Sequence, residues 1–218
     1  MTPVVTVVGL GPGNPALVTD ETRGILAASS NTWLRTSRHP SAHLAAGAPS
    51  FDDVYESADT FADVYSTIAD RLVESARTNG SVVYAVPGSP LVLERTVATL
   101  RNRTDVTVDV RAAISFLDDV WRVLGIDPVE SRVRLIDGHE FATAAAGETG
   151  AMLVAHTHAN WVLSDIKLSV ENPDDSAEVV LLHHVGLPDE QVVRTTWHEM
   201  DRVIEADHLT SLWIPAMG

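Results

Sequence analysis

The chain has 218 residues, enough to bury a full core and to form one large domain or two small ones; two are expected. Its 15 basic residues are scattered among 30 acidic ones, and the net charge of −15 excludes nucleic acid and anionic membranes as partners. The absence of cysteine removes disulfides, a thiolate nucleophile and thiolate metal sites, and no apolar run reaches the roughly 18 residues that span a bilayer, so a soluble cytoplasmic protein is expected.

Short β-branched runs alternate with longer amphipathic stretches, the pattern of an α/β protein. A first strand at 4–8 empties into Gly9-Leu10-Gly11-Pro12-Gly13-Asn14-Pro15, and a helix over 15–28 follows. A strand running into a glycine-rich turn brings backbone N–H groups close to a ligand. A dinucleotide fingerprint would place a third glycine where Asn14 stands, and Pro12 and Pro15 remove two N–H donors, so a nicotinamide or flavin site is not expected.

A strand at 32–34 precedes a helix at 60–78 whose core face reads Phe61, Val64, Tyr65, Ile68, Leu72 and Ala76. Asp59 or Thr60 is its N-cap and Asn79-Gly80 its stop. The strand at 82–86 runs into Pro87-Gly88-Ser89-Pro90 and a helix over 90–103. Two strand-to-turn-to-helix units in one domain put two loops at the carboxyl edge of one sheet, where open α/β folds bind ligands.

A strand at 106–110 closes the first domain near 111–114, and a helix at 115–124 opens the second. Strands at 133–136, 151–155 and 178–182 follow, with a helix at 160–170. The alanine-rich stretch 138–150 is either a short helix or a mobile connection. The strands at 192–195 and 211–214 have no long helix between them and read as antiparallel neighbours. The expected architecture is a mostly parallel front sheet in 1–112 and a mixed back sheet in 113–218.

No metal site is expected. His156 and His158 alternate at a strand end and His183-His184 are adjacent, so each pair should diverge. Asp118-Asp119 and Asp174-Asp175 read as a helix face and a turn, and Trp121, Trp161, Trp197 and Trp213 as core or interface anchors.

Four segments occur in the order seen in the tetrapyrrole (corrin/porphyrin) methylase superfamily: GLGPGNP at 9–15, VVYAVPGSPLVLERT at 82–96, ISFLDDVW at 114–121 and VVLLHHVGLPDEQVVRTTWHEM at 179–200. Over nearly its whole length the chain resembles that superfamily. It is similar in particular to the methylase-like N-terminal half of YabN-type MazG-fusion proteins, which share the FDDVYE-like stretch at 51–56 and the Ile126-Asp127-Pro128 turn. The resemblance implies a two-domain α/β methyltransferase, usually a homodimer, that binds S-adenosylmethionine in the cleft between its domains. By position, the cofactor contacts would come from Pro87, Gly88, Ser89, Pro90, Leu91 and Val92, from Ser115 and Phe116, from His156, and from Val185, Gly186, Pro215 and Ala216. Gly11, Pro12 and Gly13 would face the acceptor. Glycine lets backbone approach the methionine moiety and proline limits the entropy lost on binding.

The chain departs from the pattern at Ser89, where many relatives carry Asp, and it lacks a basic cluster for a polycarboxylate acceptor. Arg35, Arg38 and Arg95 are the candidate partners for such an acceptor. Phe51 to Glu56 and Thr60 to Tyr65 resemble the region where peptide-backbone N-methyltransferases of the borosin type place catalytic tyrosines and an arginine. Tyr55 and Tyr65 match by position, but Phe61 stands where the arginine would be, leaving the phenol near its ordinary pKa of about 10; packing roles are the simpler reading of both. A third possibility is a non-catalytic domain that binds cofactor, dimerises or regulates a partner. The chain ends at Gly218 with no Glu-x-x-Glu helix, so no pyrophosphohydrolase activity is expected of it; stand-alone protein and excised domain stay open as alternatives, and the resemblance makes a MazG-type domain a candidate partner.

Overall fold

The computed structural model describes residues 2–216. The chain divides into two compact units, Met1–Phe116 and Leu117–Gly218.

The first unit is a four-stranded parallel sheet in the order β2-β3-β1-β4, built from β1 (Val4–Gly9), β2 (Thr32–Leu34), β3 (Ser81–Val86) and β4 (Thr107–Val110). Its helices are α1 (Asp20–Ala28), α2 (Asp52–Ser57), α3 (Phe61–Asn79) and α4 (Arg95–Arg101). The step from β1 to β2 moves one way along the sheet, while those from β2 to β3 and β3 to β4 move the other way. Right-handed crossovers therefore send α1 to one face and α2, α3 and α4 to the opposite face. The side chains divide accordingly. Val5, Val7, Val82, Tyr84 and Val86 pack with Val64, Ile68, Leu72, Val97 and Leu100, while Val8, Val83 and Ala85 pack with Leu26 and Leu34.

Helix α3 begins at Thr60, whose hydroxyl accepts the Asp63 N–H, and stops at Gly80, with φ of 82°. Its core face holds Val64, Ile68, Leu72 and Ala76 as expected, with Ala69 and Val73 added; Phe61 instead lies outside at 70% exposure and Tyr65 is half-buried. The helix expected over 15–28 is interrupted. Asn14 caps a 3₁₀ turn at Pro15–Leu17, and Thr19 caps α1 afresh. The helix expected over 90–103 is shorter still, beginning at Arg95, because Leu93 is left-handed at φ of 57° and Glu94 is drawn into a buried ion pair.

The second unit holds α5 (Phe116–Leu124, whose first residue closes the first unit), α6 (Phe141–Ala144) and α7 (Asn160–Leu168) with a five-stranded sheet. The sheet runs β5-β6-β9-β7-β8, from β5 (Arg134–Asp137), β6 (Met152–Ala155), β7 (Glu178–His183), β8 (Gln191–Thr196) and β9 (Thr210–Ile214). β5 and β6 are parallel; the remaining pairs are antiparallel. β8 and β9 are not the expected neighbours: β7 lies between them and pairs antiparallel with both, forming a hairpin with β8 through the loop 184–190. The stretch 138–150 takes its short-helix alternative, as a 3₁₀ turn at Gly138–Glu140 followed by α6. The core gathers Ile136, Val154, Leu163, Ile166, Leu181 and Leu212, each worth on the order of 1.5–3 kcal/mol if fully buried. No helix among the described residues is long and apolar enough to cross a membrane.

Candidate active site

β1 and β3 are parallel neighbours in register from Val4 with Ser81 to Gly9 with Val86, so the loops that follow them leave the same edge side by side. They are tied together there. Leu10 N–H donates to Val86 O at 2.8 Å and Gly88 N–H to Gly11 O at 2.8 Å, while His39 Nε2 lies 3.1 Å from the same Gly11 oxygen. The approach depends on glycine: a Cβ on Gly9 would stand 2.2 Å from Gly88 O and 2.4 Å from the Ala113 Cβ. Gly88 itself adopts φ of 62°, and nothing stands within 4 Å of where its side chain would project. Gly11 and Gly13 are buried and Pro12 is half-buried; in the second loop Pro87, Gly88, Ser89 and Val92 are half-buried, Pro90 is buried and Leu91 projects into solvent. The two loops, 9–15 and 87–92, carry no charged side chain of their own.

Arg35 follows β2, and its N–H donates to Ala85 O, which places it beside the end of β3. Its Nε donates to Tyr55 Oη at 2.9 Å and lies 3.4 Å from a carboxylate oxygen of Glu94. Phe61 was expected to leave Tyr55 without a cation. That expectation fails: Arg35 reaches the phenol from β2, a position that spacing along α2 and α3 cannot show. Burial pushes the Tyr55 phenol upward, and Arg35 opposes it only in part, so the hydroxyl stays protonated at neutral pH. Burial likewise pushes the Glu94 carboxyl upward against the pull of Arg35 and of the Thr96 N–H and hydroxyl. Tyr65 lies one turn into α3 and stacks on Phe61 with ring centres 6.3 Å apart. The guanidinium of Arg38 is exposed and paired with Glu56, and Arg95 is exposed at the start of α4. Arg35 and Arg38 thus both have acidic partners of their own.

In the second unit the expected residues lie at strand ends. Ser115 is buried and Phe116 half-buried, at the end of the first unit. His156 follows β6 at φ of 61°, with Nδ1 3.0 Å from Asp137 Oδ2. Burial tends to raise the Asp137 carboxyl, but the bonds from His156 and the His139 N–H bring it below its usual value. His156 and His158 do not diverge. The left-handed backbone at His156 breaks strand alternation, and both rings flank His139, at 6.4 and 5.1 Å. Trp161 is half-exposed and packs edge-on against His158, a surface position rather than a core one.

His183 and His184 also fail to diverge. His184 takes φ of 53°, and the two rings stack with centres 3.9 Å apart. Val185 is buried, and Gly186 at φ of 81° leaves no room for a side chain, since a Cβ would sit 2.4 Å from Asp119 Oδ2. That buried oxygen has no hydrogen-bond partner, while Asp119 Oδ1 accepts from Arg122 Nε at 3.1 Å. Pro215 is half-buried and Ala216 exposed after β9.

Residues 4–201 match the family model for tetrapyrrole (corrin/porphyrin) methylases. The chain belongs to this family. Among curated proteins, the chain is 34% identical over 219 residues to the uncharacterized protein YabN of Bacillus subtilis (strain 168). That match takes in 97% of this chain and 44% of YabN, so the chain spans less than half of its relative. Among solved structures it is similar to uroporphyrin-III C-methyltransferase from Thermus thermophilus in complex with S-adenyl homocysteine, with a TM-score of 0.71, 16% identity, and coverage of 97% of this chain and 96% of that one. Diphthine synthase gives a TM-score of 0.70 at 14% identity, covering 98% and 90% of the two chains. The precorrin-6Y methylase of cobalamin biosynthesis from Archaeoglobus fulgidus gives 0.70 at 18%, covering 98% and 97%. These likenesses establish the methylase fold, with its parallel first sheet and mixed second sheet. The family model ends at residue 201, before β9 and the turn that leads into it.

Proposed function

We propose that this chain is an S-adenosylmethionine-dependent methyltransferase acting on an unidentified small acceptor. The observation that carries the reading is the pair of glycine loops clasped by the Gly88 to Gly11 hydrogen bond at the carboxyl edge of β1 and β3. Membership of the methylase family supports it, as does the S-adenyl homocysteine held by the Thermus relative. S-adenosylmethionine, when bound, supplies an electrophilic methyl group. What remains for the protein is to align an acceptor and exclude water, and a rigid, uncharged backbone edge is suited to that.

The open space over Gly88 fits a ligand approaching the backbone, and Ser89 offers a hydroxyl where many relatives carry a carboxylate. Within the first unit, residues 87–92 with Ser115 and Phe116 are proposed for the cofactor, and Gly11, Pro12 and Gly13 for the acceptor. With Arg35 and Arg38 already engaged by Glu94 and Glu56, an uncharged acceptor is favoured over a polycarboxylate such as a tetrapyrrole. The expected assembly is a homodimer, to be checked by light scattering. A pyrophosphohydrolase partner is proposed on the same resemblance.

The Arg35 to Tyr55 hydrogen bond favours a second reading for the acceptor, an amide nitrogen. Arg35 donates to the phenol oxygen, and the protonated hydroxyl would in turn donate to the carbonyl oxygen of an amide and polarise it, the N–H proton passing to solvent. Tyr55→Phe separates the two: loss of turnover with unchanged cofactor affinity supports a phenol at the reaction, and unchanged turnover excludes it. The proposal as a whole is tested by titrating S-adenosylhomocysteine into the folded protein in a calorimeter. Saturable one-to-one binding is expected. Heat indistinguishable from dilution, with circular dichroism showing a folded chain, would leave the non-catalytic domain as the better account.

A further inference from the structure

We propose that His183, His184 and Asp207 form a site for one divalent transition-metal ion of the zinc type. Each residue offers one donor atom, and the three donors lie within 4.8 Å of one another. They come from the end of β7, from the residue after it and from the turn that leads into β9. None of this depends on the methyltransferase reading.

The backbone at His184 is the first argument. A residue continuing the strand would send its ring to the far face, whereas φ of 53° turns His184 back over His183. Left-handed backbone at a non-glycine residue is costly and collects at functional positions. The hydrogen bonds are the second. His184 Nδ1 lies 2.5 Å from Asp189 Oδ2, and Nε2 lies 2.7 Å from Asp207 Oδ2. A metal-bound histidine is characteristically held by a carboxylate on its other ring nitrogen, which fixes the tautomer and turns the remaining lone pair to the ion. Asp189 stands in that position, with Nε2 turned toward the carboxylate that would share the metal.

His183 supplies the second imidazole. It is buried, and its Nδ1 lies 2.9 Å from the Thr210 hydroxyl and 3.8 Å from Asp207 Oδ1. Asp207 is held in turn: the Leu209 N–H donates to Oδ1 at 2.8 Å, and its own N–H donates to Thr210 Oγ1 at 2.9 Å. Two imidazoles and one carboxylate, without thiolate, suit zinc or a similar borderline cation and leave a fourth position for water. Entry of the ion displaces the proton between His184 Nε2 and Asp207. The bound ion would then clip the turn after β7 to the turn before β9.

The test uses the full chain, stripped with chelator and titrated with zinc sulfate alone, no nucleoside present. One equivalent of tightly held zinc is expected, together with a rise in melting temperature. Asp207→Asn, which keeps the shape of the side chain, should weaken zinc at least 100-fold and abolish that rise, and His184→Ala should do the same. Asp189→Asn, acting behind the ligand, should cost about 10- to 100-fold. A His139→Ala, His158→Ala double variant should retain the full equivalent. Cobalt, monitored through its visible absorption, gives an independent measure of the same ligand set. Failure to bind zinc stoichiometrically overturns the proposal, as does binding that survives Asp207→Asn and His184→Ala in folded protein, or that disappears with His139 and His158 instead.

Discussion

The carboxyl edges of the two sheets are built from opposite materials. After β1 and β3 the chain presents glycine, proline and backbone amides, and its single buried carboxylate at that end, Glu94, is matched to Arg35. After β5, β6 and β7 it presents His139, His156, His158, His183 and His184, with Asp137, Asp189 and Asp207 among them. The first arrangement gains rigidity from close backbone approach and suits a ligand that brings its own reactivity. The second holds its geometry through charge, which makes it responsive to protons and cations. The contrast extends to the interiors of the two units, and it can be broken at either end.

The largest effect is expected at Gly9. A side chain there must displace the Gly88 carbonyl and Ala113, so Gly9→Val should destabilise the first unit by about 3 kcal/mol, the upper end of overpacking costs, and weaken S-adenosylhomocysteine at least tenfold. Denaturant titration and calorimetry measure the two effects. An unaltered midpoint would mean that the loops are not held by close approach.

In the second unit the corresponding break is electrostatic. Lys167 Nζ reaches Asp201 Oδ1 at 2.6 Å, with both groups mostly buried, and Ser164 donates to the other carboxylate oxygen at 2.8 Å. Lys167→Met should cost roughly 2–3 kcal/mol, somewhat less than a fully buried pair, since both ends keep some solvent.

The pH dependences should run in opposite directions. For Asp201, burial favours the neutral acid, but the Lys167 and Ser164 bonds prevail and hold its carboxyl below the usual range. A depressed carboxylate contributes stability that is present above its unfolded value of about 3.9 and lost as pH falls through the folded one. For Glu94, raised by burial, stability is fully present below an unfolded value of about 4.3 and lost as pH rises through the folded one. Stability curves of Asp201→Asn and Glu94→Gln against wild type should therefore deviate with opposite slopes, the first below about pH 4 and the second above about pH 4.3. Parallel slopes would contradict the assignment of the two regions. This is the smallest of the three effects and needs careful denaturant midpoints at several pH values.

All nine strands among the described residues are legible in the sequence to within one residue at each end, because β-branched runs bounded by glycine, proline and polar residues leave little choice. The loops at the first edge are legible for the same reason, since Gly9 and Gly88 stand where two strands end. What the sequence hides has physical causes. Helix α2 has only six residues, too few for a 3.6-residue period to register. The segment before Arg95 scores as helix by composition, yet the tie between Glu94 and Arg35 holds it in another shape. Arg35 meets Tyr55 from 20 residues away, a contact that no local spacing reveals. The histidine pairs are misread because alternation presumes extended backbone, and His156 and His184 both have positive φ. A histidine directly after a buried apolar strand, followed within a few residues by aspartate, is the signal that was available at His184 and Asp189.

The central claim, that the uncharged glycine edge of the first unit holds the cofactor, is tested most directly by hydrogen exchange with and without S-adenosylhomocysteine. Peptides covering residues 9–13 and 87–92 should become protected on addition of the ligand, and the protection should vanish in Gly9→Val. Binding without protection in either loop would contradict the account.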